Sequence, residues 1–260
     1  MTDSYEDFKK SVFQLTKIDL NAYKERQMKR RIDSLITKNR FTAYASYVTA
    51  LKADKVLFDE FVNYLTINVS EFYRNPEQWV ILENEIIPEL LSKSAGGRLK
   101  IWSAACSTGD EPYSLAMMLS RKMPMSNIHI IATDIDRQVL AKANEGIYNE
   151  KFMKSLPAEF VKRYFVKCPD GQYKVSEEIK KCIEFKQHNL LKDPYPADCD
   201  LIVCRNVLIY FTEEAKDGIY KAFNKSLKTG GYLFVGSTEQ IIAPASIGFD
   251  TKESFFYRKK

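Results

Sequence analysis

The stretch Leu99-Lys-Ile-Trp-Ser-Ala-Ala-Cys-Ser-Thr-Gly-Asp-Glu-Pro-Tyr113, followed by Ile128-His-Ile-Ile-Ala-Thr-Asp-Ile-Asp136, decides the fold. A short apolar run enters small residues and a single glycine, and a helical pattern follows from Pro112. A second apolar run then ends in carboxylates. Units of this kind build a parallel sheet that binds nucleosides at the carboxyl ends of its strands. Asp134 stands where it can accept hydrogen bonds from a ribose diol. A dinucleotide fingerprint would need three glycines in the first turn. Here Gly109 stands alone, and Asp110 and Glu111 lie where a pyrophosphate would be repelled. The pattern points to a cationic nucleoside cofactor, of which S-adenosylmethionine is the common one.

The alternation continues beyond this stretch. Apolar runs predict strands over 99–103, 129–133, 183–187, 201–204 and 232–236, with a short aromatic strand over 254–258. Thr212-Glu-Glu predicts a helix start, and Thr229-Gly230-Gly231 a turn into the fifth strand. Residues 164–182 alternate apolar and polar around Pro169-Asp170-Gly171, a hairpin signal, and read as a small antiparallel β insertion. The expected class is α/β: a Rossmann-like methyltransferase sheet over 96–260 carrying that insertion. Residues 1–75 differ. Phe8, Val12, Phe13 and Leu15, then Met28, Ile32, Leu35 and Ile36, recur near helical spacing. Segments 41–52 and 55–68 continue the pattern, and no glycine precedes Gly96, so an all-α N-terminal domain is expected. Asn75-Pro76-Glu77 offers a capping side chain, a proline at the first position and an acid in the first turn. It opens a linking helix over 76–95, which Ala95-Gly96-Gly97 breaks.

At 260 residues, 45% hydrophobic and 28% charged, the chain can bury one large or two smaller cores. No apolar run approaches 18 residues and no leader pattern is present, so neither a membrane span nor export is expected. The cysteines, Cys106, Cys168, Cys182, Cys199 and Cys204, are odd in number and lack a Cys-x-x-Cys pair, and there are two histidines. This argues against a disulfide framework or a metal site and fits a reducing cytoplasm. A net charge of +5 permits an acidic partner without demanding nucleic acid.

Three further segments are candidates for chemistry. Ile67-Asn-Val-Ser-Glu-Phe-Tyr-Arg74 is densely polar for a helix end, which fits either a capped terminus with Arg74 solvated or a site. In Asp200-Leu-Ile-Val-Cys-Arg-Asn-Val-Leu-Ile-Tyr-Phe211 a buried parallel strand runs through Cys204. Arg205 and Asn206 follow at its carboxyl end, where sites on such sheets lie. Tyr210 could reach the same rim, although packing is the usual fate of aromatics such as Tyr210 and Phe211. Asn189-Leu190, after the third strand, is a weaker signal. His188 reads as a surface or hydrogen-bonded ring rather than a base.

Five motifs occur in order: Asn68-Val-Ser-Glu-Phe-Tyr-Arg74, Trp102-Ser-Ala-Ala-Cys-Ser-Thr-Gly-Asp-Glu-Pro-Tyr-Ser114, Ala132-Thr-Asp-Ile-Asp136, Cys204-Arg-Asn-Val-Leu-Ile-Tyr-Phe211 and Gly236-Ser-Thr-Glu-Gln240. Together they resemble the chemotaxis receptor methyltransferases, the CheR family, over nearly the whole chain. The resemblance implies methyl transfer from S-adenosylmethionine to glutamate side chains on cytoplasmic helices of transmembrane chemoreceptors. The products would be glutamate methyl esters and S-adenosylhomocysteine, the chemistry of adaptation in bacterial chemotaxis. It also implies cofactor contacts from Asn68, Ser70, Arg74, Glu111, Asp134, Asn189, Leu190, Arg205 and Asn206. Arg74 and Tyr210 fall where the family places residues near the transferred methyl, as catalytic residues. Ser70 stands where threonine is usual and Asp110 where a second glutamate is usual, so hydroxyl and carboxylate are both kept. Some members grip a receptor C-terminal peptide with the β insertion. The turn available here, 167–172, is short, which argues against that tethering.

The chemistry fits these residues on its own terms. A methyl on sulfonium is already activated, and a glutamate of pKa about 4.3 is ionised at neutral pH, so no strong base is needed. Holding carboxylate, methyl and sulfur in line can supply roughly 7–11 kcal/mol. A cation such as Arg74 would counter the rise in pKa that burial imposes on the acceptor, and would orient more than bond the attacking oxygen. Tyr210, with a hydroxyl pKa about 10, could position substrate but makes a poor base.

In Lys24-Glu-Arg-Gln-Met-Lys-Arg-Arg-Ile-Asp33, Met28 and Ile32 belong to the buried stripe and leave Arg26, Lys29 and Arg30 together on the opposite face. Such a face is ordinarily a solvated one. For an enzyme acting on acidic receptor helices it would serve as a docking surface, steering encounter more than setting affinity. Two other readings compete with this one. A nucleic-acid methyltransferase would use the basic helix on phosphates, but the Asp/Asn-Pro-Pro-aromatic and Pro-Cys motifs of base-modifying enzymes are missing. A cofactor-binding sensor without turnover is opposed by Arg74, Glu111, Asp134 and Tyr210 being present together.

Overall fold

The computed structural model describes residues 3–260. Two compact units divide the chain: residues up to Asn68 with Val207–Gly218, and Val69–Asn206 with Ile219–Lys260. Among the described residues, no helix is long and apolar enough to cross a membrane.

The first unit holds helices α1 (Tyr5–Thr16), α2 (Glu25–Lys38), α3 (Tyr44–Ala53) and α4 (Lys55–Thr66). Ser4 caps α1 by accepting from Asp7 N, and Asp54 caps α4 by accepting from Val56 N and Leu57 N. These bonds satisfy amides that have no partner within the helix. Phe8 and Val12 bury together with Met28, Ile32, Leu35 and Phe61. Phe13, expected on the same stripe, is 37% exposed, because Phe8 and Val12 at i, i+4 already define the inward face. The 207–218 segment joins this unit through backbone bonds, Lys24 N to Tyr210 O at 2.9 Å and Thr212 N to Ala22 O at 2.8 Å. Phe211 stacks on Tyr23 with centroids 4.6 Å apart.

The second unit opens with one continuous helical run: α5 (Pro76–Ile81), a π-helical turn (Leu82–Ile86) and α6 (Ile87–Lys93). Asn75 does not cap it as its sequence suggests. Its backbone is left-handed (φ 59°), and its Oδ1 instead accepts from Arg205 Nη2 at 3.1 Å. Strands and helices then alternate: β1 (Leu99–Ala104), α7 (Asp110–Leu119), β2 (Ile128–Asp134), α8 (Arg137–Glu145), β3 (Ile147–Tyr148), α9 (Ala158–Tyr164), β4 (Phe165–Lys167), β5 (Tyr173–Val175), α10 (Glu177–Lys180), β6 (Ile183–Gln187) and β7 (Cys199–Cys204). The chain continues with α11 (Glu213–Ser226), β8 (Leu227–Val235), β9 (Phe249–Glu253) and β10 (Phe256–Lys259).

The large sheet runs β6-β2-β1-β7-β8-β10-β9, and the small one β3-β5-β4. Pairings among β6, β2, β1, β7 and β8 are parallel, while β10 is antiparallel to both β8 and β9. β9 is absent from the sequence reading because only Phe249 of its five residues is buried, as befits an edge strand. β3 is missed because it has two residues. Thr229-Gly230-Gly231 is no turn but an irregularity inside β8, opposite the register shift between Cys199 and Leu201. At Gly231 a Cβ would lie 3.0 Å from three carbonyl oxygens, so the close backbone approach demands glycine.

Chain order places β2 and β6 on one side of β1, and β7 and β8 on the other. The direction of winding therefore reverses between β1 and β7. The crevice outside their carboxyl ends is where a doubly wound sheet binds ligands.

Candidate active site

The loop leaving β1 is bent by left-handed backbone at Ala105 (φ 61°), Ser107 (φ 49°) and Gly109 (φ 91°). A Cβ on Gly109 would stand 2.9 Å from Ala143 Cβ, so α8 packs against the turn closely enough to need glycine. Strained backbone of this sort persists only where its surroundings hold it, and it concentrates at sites. Cys106 N donates to Thr133 O at 2.9 Å, which ties the loop to the end of β2.

Three carboxyl groups converge on this turn. Asp134 Oδ2 accepts from Ser107 N at 2.8 Å and Oδ1 from Asp136 N at 3.0 Å. Burial nonetheless pushes Asp134 up to about 6, with those amides pulling the other way. A carboxylate has about four lone-pair sites, so these bonds, with a further one from the Ile135 amide, still leave acceptor capacity for the ribose expected there. Glu111 accepts from Ser103 Oγ at 2.8 Å, and burial raises it to about 7 against the pull of Arg205 and Ser103. Asp110, 1% exposed, receives hydrogen bonds from the hydroxyls of Thr108 and Ser70, and burial raises its pKa too. Ser70 thus faces a carboxylate of the turn.

From the other strand of the crevice, Arg205 is buried and directs Nη2 to Arg74 O at 2.8 Å, Asn75 Oδ1 at 3.1 Å and Gln78 Oε1 at 2.8 Å. Its guanidinium lies 4.6 Å from the Phe234 ring centroid. Arg205 therefore holds the 74–78 segment, a role the sequence does not reveal. Arg74 is half-buried, and its carbonyl takes Arg205 and Trp79 Nε1. No hydrogen bond or ion pair engages its guanidinium among the described residues, and it acts on Glu111 through space. Asn206 is left-handed (φ 61°) and donates its N–H to Glu239 Oε2 at 2.6 Å. Glu239, 3% exposed, lies in a motif noted in the sequence but given no role there.

Asn189 and Leu190 follow directly on His188, whose N–H bonds Asp134 O at 2.9 Å. Asn189 N donates to Asp193 Oδ2 at 2.8 Å, and Leu190 O accepts from Tyr195 at 2.7 Å. The His188 ring is half-buried beside Trp102 and bonded to Pro194 O, and burial lowers its pKa, as fits a packed ring. Asn68 and Tyr210 belong to the helical unit. Asn68 Nδ2 donates to Thr66 Oγ1 at 2.8 Å, and Tyr210 is half-buried in the 3-10 turn Leu208–Tyr210.

The basic face of α2 is thinner than its composition suggests. Arg26 and Arg30 are exposed, but Lys29 Nζ bonds Asp33 Oδ2 at 2.8 Å and lies over the Tyr5 and Tyr44 rings. That bond to Asp33 raises the Lys29 pKa. The i, i+4 spacing of Lys29 and Asp33 was the signal for this pair. A cavity of about 810 Å³ lies elsewhere, lined by Lys93, Arg98, Lys100, His129 and Gly230, and includes none of the crevice residues above.

Ser107 Oγ, Arg205 Nε and Asn206 Oδ1 are buried without a hydrogen-bond partner. With the pKa values of Glu111 and Asp134 raised by burial, this donor and acceptor set suits a nucleoside that brings hydroxyls and positive charge. Comparison with known proteins agrees. The profile of the CheR methyltransferase all-alpha domain matches residues 3–66, and that of the CheR methyltransferase SAM binding domain matches residues 68–253. A chemotaxis protein methyltransferase of Listeria innocua serovar 6a is 46% identical over 242 residues, 93% of this chain and 92% of that protein. One from Borreliella burgdorferi is 35% identical over 235 residues, covering 86% and 83% of the two chains. Chemotaxis protein methyltransferase 1 of Pseudomonas aeruginosa is 33% identical over 234 residues, 86% and 85%. Matches of this extent in both units place the chain in the CheR family, as a chemotaxis methyltransferase that uses S-adenosylmethionine.

Proposed function

We propose that the enzyme esterifies glutamate side chains on the cytoplasmic helices of chemoreceptors, releasing S-adenosylhomocysteine. The observation that carries this reading is the charge arrangement at the crevice. Arg205 Nη2 is committed to protein partners, while the Arg74 guanidinium, which acts on Glu111 through space, has no hydrogen bond of its own among the described residues. One cation is thus left for an anionic acceptor. The cofactor, when bound, supplies a methyl group already activated by its positive sulfur. Ser70, Glu111, Asp134, Asn189, Leu190, Arg205 and Asn206, with Asn68, are the residues we assign to holding it. Glu111 and Asp134 ionise fully once they face its positive charge. Arg74 orients the acceptor carboxylate, without gripping the attacking oxygen so tightly that its nucleophilicity falls. Tyr210 positions the acceptor through its hydroxyl.

Docking falls to the N-terminal helical domain, residues 1–75, through Arg26 and Arg30, since Lys29 is neutralised by Asp33. Exposed charges of this kind set encounter rate and orientation more than affinity. Receptor engagement does not call on the insertion over 164–182, whose turn closes tightly, Cys168 N to Gln172 O at 2.7 Å.

The test supplies methyl-labelled S-adenosylmethionine with a receptor cytoplasmic fragment and, separately, total RNA. Label on the receptor that mild base releases as methanol is the expected result; base-stable label on RNA would refute it. Arg74→Ala should lower turnover by roughly 100-fold or more, the scale seen when a transition-state charge partner is removed. Arg26→Ala with Arg30→Ala should slow receptor methylation most at low ionic strength and leave cofactor binding intact.

A further inference from the structure

β7 and β8 are paired with Cys204 opposite Val235, so Asn206 and Gly236 leave the sheet side by side. Between them sits Glu239, nearly fully buried. Its Oε2 accepts the amide hydrogen of Asn206 at 2.6 Å and that of Gly236 at 2.9 Å. The Glu239 backbone is fixed in turn, its N–H bonded to Gly236 O at 3.0 Å and its carbonyl to the Tyr220 hydroxyl at 3.1 Å. A Cβ on Gly236 would lie 2.6 Å from Glu239 Oε2 and 2.8 Å from Asn206 N, so glycine is required here for close approach rather than for its dihedral freedom. The residue that this oxygen holds is in a conformation uncommon for any side-chain-bearing residue, and its side-chain carbonyl is buried with no protein partner.

We propose that Glu239 is a positioning residue of the methyl-transfer site: it locks Asn206 in the left-handed conformation that leaves the Asn206 carbonyl for the cofactor. The inference rests on Asn206 being a cofactor residue, and it adds a group that reaches the cofactor through Asn206 rather than by touching it. Charge-assisted bonds from two amides to one oxygen are strong, and they resist the relaxation of Asn206 to an extended backbone that would turn its side chain away. A buried carboxylate with a purely structural part would alter melting temperature but not depend on the Asn206 side chain for its effect on ligand affinity.

The experiment measures S-adenosylmethionine affinity by calorimetry on the full chain for Glu239→Gln, Asn206→Ala and the double variant, with turnover at saturating cofactor. Glu239→Gln should raise Kd about tenfold, the scale of one weakened charged hydrogen bond, with turnover at saturation close to the parent value. In the Asn206→Ala background the same change should add nothing. Independent, multiplying effects in the double variant overturn the proposal, as does an unchanged Kd in folded Glu239→Gln. If Asn206→Ala alone binds like the parent, the assignment of Asn206 to the cofactor falls first and the proposal with it. Should Glu239→Gln not fold, Glu239→Asp keeps the charge, withdraws the oxygens by one methylene and must show the same dependence on Asn206.

Discussion

At the start of α4, Asp54 turns its carboxylate onto its own helix, accepting from Val56 N at 2.8 Å and Leu57 N at 3.1 Å at the surface. At the start of α7, two acids stand in the first turn and neither caps it. The N-cap there is Gly109, Asp110 goes to the hydroxyls of Thr108 and Ser70, and Glu111 goes to Ser103. The first arrangement is local and solvated, and contributes about 1 kcal/mol. The second places carboxyl groups where burial drives them toward neutrality, which costs stability unless a countercharge arrives. The positive end of the helix offsets part of that cost. One helix start serves the fold, and the other is held in a state that a bound cation completes.

The strongest way to break this contrast is Glu111→Gln. Cofactor affinity should fall by about 3 kcal/mol, roughly 100-fold, while the unliganded protein gains stability at and above neutral pH because the buried charge is gone. The pH dependence sharpens the point. Glu111 titrates about 7 in the fold against an ordinary 4.5, so a cationic ligand releases a proton on binding and parent affinity rises with pH through 7. Its contribution to unliganded stability has the opposite slope: it is full below the ordinary value and is lost as pH rises through about 7. Both trends around pH 7 should vanish in the Gln variant, while the step near 6 from Asp134 stays. Calorimetry in buffers of different ionisation enthalpy counts the released protons, and no release in the parent would end the comparison.

Gly109→Ala comes next. Its Cβ would meet Ala143 Cβ at 2.9 Å on a backbone at φ 91°, so about 2 kcal/mol of stability should be lost, measured by urea unfolding. Asp54→Ala is the smallest, about 1 kcal/mol of stability. It should leave KM for the cofactor untouched; a shift in KM would show that the two helix starts are not separate in function.

Much of this architecture was legible in the chain. β1, β2 and β7 follow apolar runs that suit a doubly covered parallel sheet, β6 shows the alternation of an edge strand, and Asp134 and Glu111 stand at strand and helix ends that periodicity locates. The errors share a cause. Asn75 has every mark of a cap, yet Arg205, 130 residues later, takes its side chain. Thr229-Gly230-Gly231 looks like a turn until the carbonyls of Cys199 and Asp200 close on Gly231.

By itself the sequence determined the order of elements, the carboxyl edge on which chemistry would lie and the charge of the ligand it would take. Those follow from hydrophobic period and from residue types at strand ends, both local properties. Only the tertiary structure decided that Arg205 braces the Arg74 segment, that Glu239 holds Asn206, and that burial raises the pKa of both acids of α7. Each of these depends on burial and on partners distant in the chain, and neither quantity exists until the sheet has assembled.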